Sequence, residues 1–150
     1  MALLMKKGSK DFLSGDPIEL TTYFDNNIDI HHIFPAAYCQ NQKIDPQKWN
    51  SIVNKGALSS RTNRILGGHK PSTYIQTILR QYGVEATRLD DILESHLIDP
   101  SALRTDDFVG FILKRAGLLL DLIQSATGKT IVGRDSEETV TAFGGVLSGS

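Results

Sequence analysis

Apolar and polar positions alternate along Ile28-Asp29-Ile30-His31-His32-Ile33-Phe34, and this period predicts a strand with Ile28, Ile30 and Phe34 facing a core. Pro35 follows and should stop it, because proline cannot donate to a sheet ladder. Residues 40–47 are polar and read as a loop. Trp49, Ile52 and Val53 are expected to line one side of a short helix, and Ala57-Leu58-Ser59 to form a second short strand. Ser60 or Thr62 is expected to cap a short helix through Asn63 and Leu66, ended by Gly67-Gly68.

Beyond that point the period becomes helical. Pro71 suits a first helical position, Ile75, Ile78, Leu79 and Tyr82 follow at helical spacing, and Gly83 ends the run. Thr87 with Asp90 resembles a capping box ahead of Leu89, Ile92, Leu93 and Leu97. Asp99-Pro100 opens a short turn. Thr105 is expected to cap a longer helix with Asp106 and Asp107 in its first turn, an apolar face of Phe108, Ile112, Ala116, Leu119, Leu120 and Ile123, and a stop at Gly128-Lys129. Residues 1–27 carry turn signals at Ser14-Gly15-Asp16-Pro17 and Asp25-Asn26-Asn27, and residues 133–150, rich in Gly, Ser and Thr, read as a flexible tail. The order of strand, loop, strand, short helix and three further helices gives an α+β fold in which the first part holds the potential chemistry and the second is scaffold.

The length of 150 residues suits one domain with one core. The early apolar run Ala2 to Met5 is too short for a signal peptide or a membrane span, so a soluble, cytoplasmic protein is expected. Cys39 is the only cysteine, which excludes an internal disulfide and a zinc site built on paired cysteines. The net charge of −1 is unevenly spread. Residues 1–42 carry −2 and residues 81–150 carry −5, while residues 43–80 hold seven basic residues against one acidic, a net of +6. Lysines and arginines so placed can neutralise phosphates, although a solvated face is the plainer reading of such a block.

Two adjacent histidines in an apolar strand ask for a reason, because an apolar side chain would pack better. Histidine takes a proton near neutral pH and is a common metal ligand. On the bare pair, a functional site and incidental placement at an exposed strand end are both open. In a regular strand His31 shares a face with Asp29, and His32 with Ile30 and Phe34, so both imidazoles reach one site only where the strand bends or ends. The second constellation is Asn54-Lys55-Gly56-Ala57-Leu58-Ser59-Ser60-Arg61-Thr62-Asn63-Arg64. Asparagine offers a neutral oxygen to a hard metal and an amide for fixing loops, though a lone asparagine more often caps or turns.

The segment Asp29-Ile30-His31-His32-Ile33-Phe34-Pro35, followed by Asn54 and then Asn63, resembles the HNH, or ββα-metal, endonuclease family. The likeness is greatest to the C-terminal nuclease domain of GmrSD-like, modification-dependent restriction proteins. It covers roughly residues 6–130 and extends to Lys7-Gly8-Ser9-Lys10-Asp11-Phe12, Lys70-Pro71-Ser72-Thr73-Tyr74, Ser95-His96-Leu97-Ile98-Asp99 and Ala126-Thr127-Gly128-Lys129.

The resemblance implies a small ββα-metal core followed by a helical scaffold. It divides the chain into a nuclease domain over 1–132, with the catalytic core at about 20–75 and the helical part at about 71–130, and the tail beyond. It implies His32 as general base, His31 and Asn63 as metal ligands, and Asn54 as the central asparagine that ties a loop to the strand. His31 stands where many relatives have Asp. Asp29 has no firm counterpart and is either a carboxylate that orients His31 or a solvated acid. Lys55, Arg61, Arg64, His69 and Lys70 are candidate phosphate contacts, and His96 is expected to be structural. The implied cofactor is a divalent metal, Mg²⁺ or Mn²⁺, with Ni²⁺ or Zn²⁺ also accepted by imidazole. The implied function is hydrolysis of phosphodiester bonds in DNA by the effector domain of a bacterial restriction or anti-phage protein, whose N-terminal nucleotide-using domain is absent from this chain. A catalytically inactive nucleic-acid-binding module and a helical protein-interaction domain are the alternatives. A metalloprotease is disfavoured for want of a His-Glu-x-x-His helix, and a P-loop enzyme because Gly128-Lys129-Thr130 lacks the upstream glycine.

Overall fold

A two-stranded antiparallel sheet and the helix that leaves it frame the amino-terminal half. β1 (Ile28–His32) pairs with β2 (Lys55–Ser59) in the register Ile28 with Ser59, Ile30 with Ala57, His31 with Gly56 and His32 with Lys55. The computed structural model describes residues 2–18 and 28–147, so the expected turn at Asp25-Asn26-Asn27 lies outside the described residues. The ladder ends at His32. Ile33 and Phe34 leave it and are fully buried, and the Phe34 ring packs against Phe111 at 5.0 Å and Phe108 at 5.3 Å. Two large apolar residues thus pin the chain just after the two histidines.

The described helices are α1 (Ala2–Lys6), α2 (Ala36–Asn41), α3 (Pro46–Trp49), α4 (Ser60–Leu66), α5 (Pro71–Gln81), α6 (Ala86–Ser95), α7 (Pro100–Arg104), α8 (Phe108–Thr127) and α9 (Glu137–Phe143), with a 3₁₀ turn at Ile52–Asn54 just before β2. The architecture is mixed helix and sheet, as the patterning indicated. The main core is helical: Tyr74, Ile75 and Ile78 of α5, Leu89, Ile92 and Leu93 of α6, and Phe108, Phe111 and Ile112 of α8 meet Ile33, Phe34 and Leu58. A smaller cluster of Ile18, Ile28 and Ala57, with Met5 and Ile30 against it, backs the other side of the hairpin.

Several local expectations are corrected. The stretch read as a loop over 40–47 contains the end of α2 and the start of α3, whose N-terminus is capped by Asp45 through the Gln47 N–H at 3.0 Å. Both helices are too short to show a periodic stripe. Trp49 ends α3 while Ile52 and Val53 sit in the 3₁₀ turn, with Ile52 exposed. The cap of α4 is Ser59, which accepts from the Thr62 N–H at 3.1 Å, so neither Ser60 nor Thr62 holds that place. No capping box forms at Thr87 and Asp90, because α6 starts at Ala86 without a side-chain cap and its start is set by the burial of Leu89, Ile92 and Leu93. Thr105 closes α7, and Asp107 caps α8 through the Gly110 N–H at 3.0 Å. Asp106 lies outside α8 with a φ of 54° and accepts from both the N–H (2.8 Å) and hydroxyl (2.7 Å) of Ser72. Residues 133–147, read as a tail, instead carry α9 against α8. Arg134 pairs with Asp121 at 2.7 Å and Leu147 is buried in the main core.

Candidate functional site

The site is assembled where β1 ends. Asn54 is fully buried, and its carboxamide bridges two earlier parts of the chain, at Phe34 and Trp49. Its Oδ1 accepts from the Phe34 N–H at 2.8 Å, and its Nδ2 donates to the carbonyls of Phe34 (2.9 Å) and Trp49 (2.8 Å). The Asn54 carbonyl in turn accepts from the Ile33 N–H at 2.8 Å. One residue therefore clamps the segment that follows the histidines to the turn that precedes β2. Such a clamp suits buried amide chemistry, in which each polar atom has its partner. Tyr74 adds a further tie, its hydroxyl donating to the Ile33 carbonyl at 2.9 Å.

His32 stands at the last ladder position opposite Lys55. Its Nε2 lies 3.0 Å from Oδ1 of Asn50, and its ring meets Trp49 edge-on at 5.5 Å. A carboxamide oxygen only accepts, so in this arrangement neutral His32 donates from Nε2 and Nδ1 is the nitrogen left to take a proton. His31 lies opposite Gly56, and its Nε2 is buried without a hydrogen-bond partner. Burial lowers the His31 pKa, with His32 adding to the drop and Asp29 opposing it. Asp29 itself is exposed, and its Oδ1 accepts from the Ile30 N–H at 2.7 Å. Among the described residues no hydrogen bond joins it to His31.

Asn63 is half-buried on α4, which continues directly from β2 and packs against both strands. Beside it on that helix, Arg61 and Arg64 are exposed, and Arg61 lies over the Tyr82 ring at 5.6 Å. His69 and Lys70 are exposed in the link between α4 and α5. Lys55 is half-buried at the start of β2. The structure thus gathers His31, His32, Asn54 and Lys55 at one end of the hairpin and puts Asn63 on the helix packed against it, while His69 and Lys70 stand on the connecting loop.

Among the described residues there is no cluster of three or more His, Cys, Asp or Glu suited to hold a metal. Among the described residues the His31 Nε2 is the buried imidazole nitrogen without a partner, and Asn63 is half-buried on the helix that packs against both strands. An imidazole and a carboxamide, if brought together, would make a neutral donor pair suited to a weakly held, exchangeable ion.

Two supports escaped sequence reasoning. Arg115 of α8 is fully buried. Its Nε donates to the His96 carbonyl at 3.0 Å, and its Nη1 to the carbonyls of Lys55 (2.8 Å) and Val53. It thereby holds the backbone on both sides of Asn54 from behind. Burial lowers its pKa to about 9. The signal was there: Phe111, Ile112, Arg115 and Ala116 share one helical stripe, and a cation in an apolar stripe needs acceptors. The second support is Asp11. It accepts from the Thr62 hydroxyl at 2.9 Å and the Ser59 N–H at 3.3 Å through Oδ1, and from the N–H groups of Leu13 and Ser14 through Oδ2. These bonds fix the junction from which α4 presents Asn63. No local signal marks a partner so distant in sequence. His96, expected to be structural, is buried with its Nε2 2.6 Å from the Lys10 carbonyl and its ring edge-on to Phe12.

No family model matches the chain, and no solved structure matches it. The chain is similar to Uncharacterized protein MJ0686 of Methanocaldococcus jannaschii, with 26% identity over 142 residues, covering 81% of this chain and 24% of that protein. The chain therefore spans about a quarter of the length of the curated relative it matches. Among the described residues no helix is long and apolar enough to cross a membrane.

Proposed function

We propose that this chain is a metal-dependent endonuclease domain of the HNH type that hydrolyses phosphodiester bonds in DNA. The observation that carries the reading is the Asn54 clamp: a buried carboxamide binds the backbone immediately after a His-His pair, at the end of a hairpin whose second strand runs straight into a helix bearing Asn63. Hydrolysis needs a base for water, a charge to meet the phosphate and a rigid frame. His32, held through Nε2 by Asn50, has Nδ1 available to accept the proton of an attacking water. His31 and Asn63 would hold the metal. A bound divalent ion supplies Lewis-acid stabilisation of the charge that develops on the phosphate. Asn54 and Arg115 take no part in proton transfer and keep the hairpin end in place for it. Lys55, Arg61, Arg64, His69 and Lys70 are the proposed phosphate contacts, which position a strand without reading its sequence.

The wider proposal is a bacterial restriction or anti-phage effector, in which target choice belongs to an N-terminal nucleotide-using domain of a larger protein. A relative that the chain covers over only a quarter of its length leaves room for such a partner. The test is incubation of supercoiled plasmid with the purified chain and Mg²⁺, Mn²⁺ or Ni²⁺, quenched by EDTA. Cleavage that EDTA abolishes and that is lost in Asn63→Ala supports the reading. Cleavage that persists in EDTA, or none with any of the metals, contradicts it.

A further inference from the structure

A second feature of the basic central segment lies away from the histidines. Along α5, Thr73, Gln76, Thr77 and Arg80 recur at the i, i+3, i+4, i+7 spacing that puts them on one face, with Lys70 just ahead of the helix. This face, together with Arg104 from α7, lines a groove of about 570 Å³. Lys70, Thr73, Gln76 and Arg80 are exposed in it, and none of the described residues that line it is acidic. Acids do stand at its rim. Arg104 shares its guanidinium with Asp90, and Asp106 takes up the Ser72 N–H and hydroxyl, so the free charge is that of Lys70 and Arg80. Those two stand at opposite ends of the face, about 15 Å apart at 1.5 Å of rise per residue. That is roughly four phosphate steps along one DNA strand at about 3.4 Å of axis each.

The inner side of the same helix is tied to the proposed active segment. Tyr74, buried beside Thr73, donates to the Ile33 carbonyl one residue after His32. The helix that bears the groove is therefore hydrogen-bonded to the segment that follows His32. Its donors are ammonium, guanidinium, hydroxyl and amide groups, the set that contacts phosphate and sugar oxygens without reading bases. An apolar or acidic peptide would find little to bind beyond two separated cations.

We infer that the outer face of α5, from Lys70 to Arg80, is a track for the phosphate backbone of the nucleic-acid substrate, extending it beyond the cleavage site. The inference rests on the nuclease reading above. It is tested in EDTA, so that no cutting interferes, by fluorescence anisotropy of a 20-base-pair labelled DNA duplex over a range of salt concentrations. Lys70→Gln and Arg80→Gln are each expected to weaken binding about three- to tenfold at low salt and to lower the slope of log K against log salt by about 1. Arg80→Lys should recover the slope, and Lys129→Gln, on a different surface, should leave it unchanged. Folded Lys70→Gln and Arg80→Gln proteins with the wild-type slope would overturn the track, as would a wild-type protein that binds neither this duplex nor an RNA duplex of the same sequence. A labelled RNA duplex of the same sequence, run in parallel, shows whether the backbone track prefers DNA; RNA bound with the slope changes and DNA not bound would overturn the DNA assignment. The two readings separate cleanly. Slope changes without metal-dependent cutting retain the track and defeat the nuclease, whereas cutting with unchanged slopes does the reverse.

Discussion

The side chain of Asn54 holds the backbone of Phe34 by both its groups, accepting from the N–H at 2.8 Å and donating to the carbonyl at 2.9 Å. Because Phe34 is also locked into the Phe108 and Phe111 rings, the clamp joins the histidine strand to the helical core. Asn54→Ala would strand three buried backbone groups, the Phe34 N–H and the Phe34 and Trp49 carbonyls. At about 1–3 kcal/mol for a buried polar group left unpaired, the variant should lose about 3 kcal/mol or more, visible as a lower urea midpoint. A midpoint within error of the wild type would mean that the clamp bears no load.

Arg115 should behave as a structural arginine. Replacement by Leu leaves the Val53, Lys55 and His96 carbonyls without their donor, at an expected cost of about 2–4 kcal/mol. Arg115→Lys should recover only part of it, since one ammonium cannot reproduce the planar fork that reaches all three. Thermal melting of the two variants side by side checks the order. Full recovery by lysine would show that the charge alone matters.

Acid should destabilise the fold in two stages. Burial pulls the His96 pKa down to about 4 from an ordinary 6.5, the Lys10 carbonyl and Asp11 opposing and Arg115 assisting. The unfolded chain then binds this proton more readily, so stability rises with pH between about 4 and 6.5 and is flat above. For Asp11 burial raises the pKa, but the hydrogen bonds from Ser14, Ser59, Thr62 and Leu13 outweigh it and hold the carboxyl below its ordinary 3.8. Its contribution is present above that value and is lost as pH falls through the folded one. His31 acts in the same direction as His96, so His96→Gln isolates the latter: urea midpoints from pH 7 to 4.5 should fall less in the variant than in the wild type. Identical pH profiles would remove His96 as a source of acid sensitivity.

Cys39 should be inert in the native protein. It is fully buried against the Phe34 carbonyl at 3.6 Å, and burial pushes its thiol up to about 11. A disulfide reagent at pH 8 is expected to titrate it only after denaturant is added. Rapid reaction of the folded chain would show that the α2 region opens.

What the amino-acid pattern disclosed and what it hid divide along sequence distance. The period of two over residues 28–32 and the helical stripes of α5, α6 and α8 are local, and each marks a real element. The two histidines stood out because they interrupt an apolar strand, whereas Asn54 was singled out only by its place in the resemblance to the HNH family. The caps were misplaced by one to a few residues, because Ser59, Ser60 and Thr62 are chemically alike and the backbone chose among them. Asp11 with Thr62, and Arg115 with Val53, join positions 51 and 62 residues apart, where no periodicity operates. Residues 133–147 look like a linker by composition, yet Leu147 finds the core and Arg134 finds Asp121. Asn50 carried no sequence signal at all. Its contact with His32 depends on α3 turning it back toward the strand end.

The most direct test of the account is the rate of plasmid cleavage with Mn²⁺ by the wild type and by His32→Ala, with thermal melting of both. Because His32 sits partly exposed at the end of the ladder, its loss should leave the fold intact while cutting falls by about 10²–10⁴-fold, the usual worth of a general base. A folded His32→Ala protein that cuts at the wild-type rate would contradict the assignment of that histidine and, with it, the proposed mechanism.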